Sequence, residues 1–290
     1  MKVASNKITD IKSFIRKHLK GLYPDEEINS FLYLLFEAYC GLTKTDLLAG
    51  KREYINESEL LLVYDAVKEL ERHKPIQYII GKTFFFGMEF TLSPDVLIPR
   101  PETEELADMI IKESQDHKGL KILDIGTGSG CLAVCLKKFL PEAEVTALDN
   151  SSAALEIARM NAQNNSTDVR FLLLDILNVE QWQLLNGFDI VVSNPPYVLA
   201  SEIKLMNSNV LDYEPSTALF VPDAKALLYY EAIFGVAVRQ NKKTKIYTEI
   251  NESKGPELIK MAYKFGIADG AVVKDINNKD RFFLGTVIHE

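Results

Sequence analysis

The chain has 290 residues, 47% of them hydrophobic and 26% charged, with a formal net charge of −8 and a pI near 5.2. That length allows one large soluble domain or two smaller ones. The acidic balance argues against gripping nucleic-acid phosphates by bulk charge, while leaving room for a local basic patch. The three cysteines, Cys40, Cys131 and Cys135, show no disulfide-framework spacing and point to a reducing compartment. The first seven residues lack the apolar core of a signal peptide. The longest apolar stretch, 31–40, is too short to span a bilayer and contains Glu37. The expectation is a cytoplasmic protein that does not enter a membrane.

Residues 1–73 read as helical. Ile8, Ile11, Phe14, Ile15 and Leu19 recur at helical spacing, as do Ile28, Phe31, Leu32, Leu35 and Phe36. Gly21 and Pro24 separate these two helices, and Gly41 ends the second. A short helix over 45–48 and a longer one from Ser58 through Val67 complete a small bundle. Such a bundle either recognises a partner or only packs on and stabilises the rest. Pro75 to Gly81 breaks the helical pattern, and aromatic runs around Gly87 read as a β-hairpin within a linker, 75–99. Two prolines then hold Arg100 extended, which places it in a site wall, and Thr103 or a preceding residue caps a helix through Leu106, Met109 and Ile110.

From Leu120 the pattern alternates strand and helix. Strands over 121–125, 145–148, 169–174, 188–192 and 246–250 alternate with helices, and 271–276 with 281–288 form a closing hairpin. This spacing implies a largely parallel sheet with right-handed crossovers, in the α/β class. Cys131 and Cys135 sit four apart on a helix with no second Cys or His pair nearby, and read as small buried hydrophobes.

Four strand ends carry chemistry. Gly126-Thr127-Gly128-Ser129-Gly130 follows the first strand. It lacks the spacing of the dinucleotide fingerprint and the Gly-Lys-Ser/Thr of a phosphate loop, so neither NAD nor NTP is implied. Asp149 ends the second strand, where a carboxylate accepts both hydroxyls of a ribose. Asp175, at the end of the third, is placed near an adenine amino group. Ser193-Asn194-Pro195-Pro196-Tyr197 ends the fourth. Its prolines cannot continue a ladder, so the chain leaves the sheet stiffly. There the Asn194 side-chain oxygen and the Pro195 carbonyl can each accept one hydrogen of an NH₂ group, with Tyr197 against the flat face of the target. Adenosine recognition beside an amine-binding turn, without a phosphate site, fits S-adenosylmethionine.

These segments resemble the release factor glutamine methyltransferases of the HemK type. The resemblance covers nearly the whole chain and is carried by Pro75-Ile76-Gln77-Tyr78-Ile79, Phe85-Phe86-Gly87, Leu97-Ile98-Pro99-Arg100-Pro101-Glu102-Thr103-Glu104, Asp124 to Gly130, and Asn194 to Tyr197. It implies a Rossmann-like, seven-stranded methyltransferase sheet over 100–290, preceded by a helical substrate-recognition domain over 1–74. It implies S-adenosylmethionine held by Gly126 to Gly130, Asp149, Asp175, Ile176 and Asn194, no metal, and peptide chain release factors as the protein substrate. The carboxamide of a Gln would be clasped by Asn194, Pro195, Pro196 and Tyr197, with Asn194, Pro195 and Tyr197 as the catalytic set. Glu214-Pro215 matches another family segment near the site. Val221-Pro222-Asp223 departs from the usual Gly-Gly-Asp, and Ile176 stands where some members carry an aromatic that stacks on adenine. Asn-Pro-Pro-Tyr is shared with adenine-N6 methyltransferases, one rival reading. The acidic balance and the lack of a basic insert disfavour it. A non-catalytic adaptor binding a translation factor through 1–73 is the other rival, and it predicts a damaged cofactor loop.

Overall fold

The buried residues Ile8, Ile11, Ile15 and Leu19 stack one turn apart on α1 (Ile8–Leu19) because positions three and four apart share a helix face. The computed structural model describes residues 5–267 and 269–288, so residues 1–4 of the N-terminal stretch read above lie outside it. α1 shares one apolar core with α2 (Asp25–Cys40), α3 (Lys44–Leu48) and α4 (Glu57–Glu71). Gly41 ends α2 in the left-handed conformation, and capping boxes at Thr43/Asp46 and Asn56/Glu59 start α3 and α4. Where the sequence reading ends the helical pattern, a one-turn helix α5 (Ile76–Ile80) follows Pro75. Proline is tolerated at a helix start, and Ile76 joins the bundle core. The helical unit therefore continues to Gly81, and it also takes in a later excursion, Asn207–Tyr213.

The second unit opens with a hairpin, β1 (Lys82–Phe85) and β2 (Met88–Thr91). Phe86 and Gly87 both have positive φ, 51° and 74°, the signature of a two-residue turn whose twist matches the strands. The elements that follow are α6 (Pro101–Ser114), β3 (Lys121–Ile125), α7 (Cys131–Phe139), β4 (Glu144–Asp149), α8 (Ser152–Asn164), β5 (Val169–Leu173) and β6 (Ile190–Ser193). Next come the short strand β7 (Val198–Leu199), α9 (Ser208–Tyr213), α10 (Ser216–Leu219), β8 (Phe220–Val221), α11 (Leu228–Val238), β9 (Thr244–Glu249), α12 (Gly255–Lys264), β10 (Ala271–Lys274) and β11 (Asp280–Val287). α9 is the excursion that belongs with the helical unit.

Seven strands make one sheet in the order β10-β11-β9-β6-β3-β4-β5. β9, β6, β3, β4 and β5 run parallel, and β11 inserts antiparallel between β9 and β10. Alternate residues feed opposite faces. Ile122, Ile190, Val192, Tyr247 and Phe282 pack with α6 and α7, whereas Leu123, Val191, Ile246 and Phe283 pack with α11 and α12. Burial on both faces explains why these strands read as continuous apolar runs. Cys131 and Cys135 are part of the first cluster. The chain steps from β3 outward to β4 and β5, then returns to place β6 on β3's other side. That reversal opens a crevice beyond the carboxyl ends of β3 and β6.

Candidate active site

A cleft open to solvent occupies that crevice. Of the residues singled out in the sequence, Gly126, Thr127, Gly128, Ser129, Asp149, Asp175, Ile176, Asn194, Pro195 and Pro196 line it. Arg100 and Pro215 do so too. Gly130 and Tyr197 do not.

The loop after β3 is tied to the end of β4. The N–H groups of Gly126 and Thr127 donate to the Leu148 carbonyl, each at 2.9 Å. Gly128 N–H donates to Asp149 Oδ2 at 2.9 Å, and Ser151 N–H donates to Oδ1 at 2.9 Å. Each Asp149 oxygen thus keeps a lone pair for a ligand hydroxyl in a carboxylate that two backbone donors have fixed. Asp175 is held similarly, its Oδ1 accepting from Leu177 N–H at 2.9 Å. Ile176 is buried in the wall and accepts from Trp182 Nε1 at 2.7 Å through its carbonyl.

Gly130 is fixed by packing. It starts α7 at φ 78°, and a Cβ there would sit 2.9 Å from Ala158 Cβ on α8. Glycine alone lets α7 leave the loop this close to α8. Asn161 reinforces the corner from α8: its Nδ2 donates to the carbonyls of Ser129 and Thr91, and its Oδ1 accepts from Thr91 N–H.

Opposite the glycine loop, Ser193 Oγ donates to the Ile125 carbonyl at 2.7 Å, locking the ends of β6 and β3. Asn194 stands between them, and its Nδ2 donates to Thr103 Oγ1 at 3.1 Å. Thr103 is not the helix cap of the sequence reading. α6 starts at Pro101 with Arg100 as its N-cap residue, and Thr103 is buried within the first turn, donating to Glu249 Oε1. Tyr197 carries its hydroxyl away from the cleft to Glu249 Oε2, at 3.2 Å. Its ring packs against the apolar cluster that Leu123, Val191 and Ile246 share with α11 and α12.

Burial pushes the Glu249 carboxyl up to about 7, against the opposing pull of the Thr103 hydrogen bond and the Arg281 charge. Burial likewise lifts Asp124 in the cleft wall to about 7, opposed by the Thr127 hydroxyl, which donates to it at 2.6 Å, and reinforced by the Asp149 charge. Tyr229 on α11 also faces the cleft, its phenol raised by burial and then by the carboxylates of Asp175 and Asp149. Arg100 is extended at ψ 150° and pairs with Glu214, Nη2 to Oε1 at 2.6 Å; Glu214 Oε2 accepts from Ile98 N–H at 3.3 Å. Of the departing triplet, Val221 pairs with Leu199 and Asp223 accepts from Ser201 Oγ; neither lines the cleft.

The sequence reading passed over Thr103, Asp124, Asn161, Tyr229 and Glu249 as site residues. Asn161 had a visible signal, a polar residue on the stripe of Leu155, Ala158 and Ala162. Asp124 had one too, a charge inside an apolar strand.

The family model described as the PrmC N-terminal domain matches residues 13–81, and the methyltransferase small domain matches 103–211. A release factor glutamine methyltransferase of Flavobacterium psychrophilum is 43% identical over 267 residues, 91% of this chain and 93% of the relative. That of Bacteroides thetaiotaomicron is 40% identical over 272 residues, 93% and 97% of the two chains. That of Bacillus subtilis is 38% identical over 267 residues, 88% and 90%. The chain belongs to the release factor glutamine methyltransferases.

Proposed function

We propose that this chain, as a member of that family, transfers a methyl group from S-adenosylmethionine to the side-chain amide nitrogen (N5) of a glutamine in peptide chain release factors. The observation that carries the reading is the charge of the cleft. Asp95, Asp124, Asp149 and Asp175 line it, and the one cation lining it among the described residues, Arg100, is already paired with Glu214. Such a wall repels phosphates and suits a ligand with a sulfonium and an ammonium group.

The residues fit the cofactor. Asp149, fixed by Gly128 and Ser151, accepts ribose hydroxyls; Gly126 to Ser129 allow close backbone approach; Asp175 and Ile176 meet the base. When bound, S-adenosylmethionine supplies an electrophilic methyl group on sulfur. Asn194 and Pro195 accept the two hydrogens of the glutamine carboxamide, hold its nitrogen toward that methyl group, and stabilise the positive charge that develops there. Tyr197 contributes through its anchoring of the turn. We assign recognition of the release factor to the helical unit, in line with the match to the PrmC N-terminal domain, and place the protein in the cytoplasm, where its thiols stay reduced.

An adenine-N6 methyltransferase needs a basic groove around its cleft, which the acidic lining disfavours. An adaptor has no use for an acid-lined cleft with a fixed ribose carboxylate. The deciding experiment incubates the protein with radiolabelled S-adenosylmethionine and a purified release factor, with a Gln→Ala release factor as control. Label should enter only the first substrate, and Asn194→Ala should remove most turnover without unfolding the protein. Equal labelling of both substrates would refute the proposal.

A further inference from the structure

Behind the cleft, polar groups form a single buried line. Asn194 Nδ2 donates to Thr103 Oγ1 at 3.1 Å, and Thr103 Oγ1 donates to Glu249 Oε1. From the other side, Arg281 Nη1 donates to the Tyr197 hydroxyl at 3.4 Å, and that hydroxyl donates to Glu249 Oε2 at 3.2 Å. Both branches end on Glu249, whose side chain is 0% exposed. Thr103 and Glu249 lie 146 residues apart, so only the folded sheet creates this line.

The direction of the line has a consequence for the amide. An ionised carboxylate only accepts hydrogen bonds, and a threonine hydroxyl has one proton to give. With that proton committed to Glu249, Thr103 Oγ1 can only accept from Asn194. The NH₂ end of the Asn194 amide must then face Thr103, and its oxygen must face the cleft. Reverse the line, and Asn194 would present NH₂ to the substrate nitrogen, donor against donor.

We propose that Glu249 is a positioning residue that acts through Thr103 to keep the Asn194 oxygen turned toward the substrate amide. This rests on the reading of Asn194 as the acceptor for the glutamine nitrogen. Burial raises the Glu249 carboxyl to about 7, so the device works fully on the alkaline side of neutrality.

Neutron diffraction of the full-length protein at about pH 8.5, with exchangeable hydrogens deuterated, tests the orientation directly and without reference to activity. Deuterons should lie on the Asn194 nitrogen facing Thr103 and on Thr103 facing Glu249. An Asn194 oxygen facing Thr103 would overturn the proposal. In methyl transfer at the same pH, Thr103→Val should lower kcat about 10- to 100-fold, the scale of losing one aligned polar group. The dissociation constant for S-adenosylmethionine should stay within about twofold, and Thr103→Ser should restore most of the lost rate. Glu249→Gln, which keeps shape but brings a donor to the hub, should also lower kcat. Unchanged kcat in both Thr103→Val and Glu249→Gln would refute the positioning role. A wild-type protein that methylates no release factor would instead sink the functional reading, while the neutron result still decides the orientation.

Discussion

Replacing Gly130 by alanine tests the packing of the glycine loop most sharply. At φ 78°, an L side chain costs about 1–2 kcal/mol. The new Cβ would lie 2.9 Å from Ala158 Cβ, 3.1 Å from its Cα and 3.4 Å from its carbonyl oxygen, where contacting carbons prefer about 3.5–4.0 Å. Two of those three atoms are backbone, so α8 cannot turn a rotamer away. Overpacking of this kind adds about 1–3 kcal/mol, and the stiffer unfolded chain returns about 0.4–1 kcal/mol. The net expectation for Gly130→Ala is a loss of about 1.5–4 kcal/mol in urea denaturation, with weaker S-adenosylmethionine binding by calorimetry because the loop must shift. Adding Ala158→Gly removes the Cβ–Cβ contact but neither the backbone contacts nor the φ. The pair should therefore show a favourable coupling of about 1 kcal/mol and incomplete recovery. A stable Gly130→Ala variant, within about 0.5 kcal/mol of wild type and with unchanged affinity, would refute the reasoning.

Asn161→Ala should cost about 2–4 kcal/mol by denaturation, because it strips partners from the buried polar groups of Thr91 and Ser129; an effect below about 1 kcal/mol would contradict the stapling role. Glu249 holds its proton more tightly when folded, with its pKa raised from 4.5 to about 7. Its stabilising contribution is present below about pH 4.5 and is lost as pH rises through about 7. Glu249→Gln removes that dependence, so the variant should gain on wild type by up to about 3 kcal/mol between pH 5 and pH 8, and a gap that stays constant would show the attribution to be wrong. Asp124, also raised to about 7, must lose its proton to attract a cation. S-adenosylmethionine affinity should therefore tighten from pH 6 to pH 8 in titration calorimetry, and Asp124→Asn should flatten the trend.

Local chemistry made most of the sheet legible. β3, β4, β5 and β6 announce themselves as apolar runs ending in Gly, Asp, Asp and Asn-Pro-Pro, and the glycine loop and Asp149 lie where those ends meet. α5 was not legible, because Pro75 followed by apolar residues suits a break as well as a helical turn. Thr103 looked like a cap because sequence shows only its neighbours along the chain, whereas its partners Asn194 and Glu249 lie 91 and 146 residues away. The Tyr197 hydrogen bond to Glu249 was hidden for the same reason, since 52 residues separate the two along the chain.

The excursion at Asn207–Tyr213 bears on how the protein can be dissected. A fragment starting at Lys82 would carry a helix whose packing partners had been cut away, and a fragment ending at Gly81 would lack a piece of its own bundle. Tyr213 marks the loss on both sides, since its hydroxyl donates to the Arg72 carbonyl at 2.9 Å. Clean halves would require excising 207–213 from one and grafting it onto the other, so a single truncation is the wrong tool for asking what either half does alone.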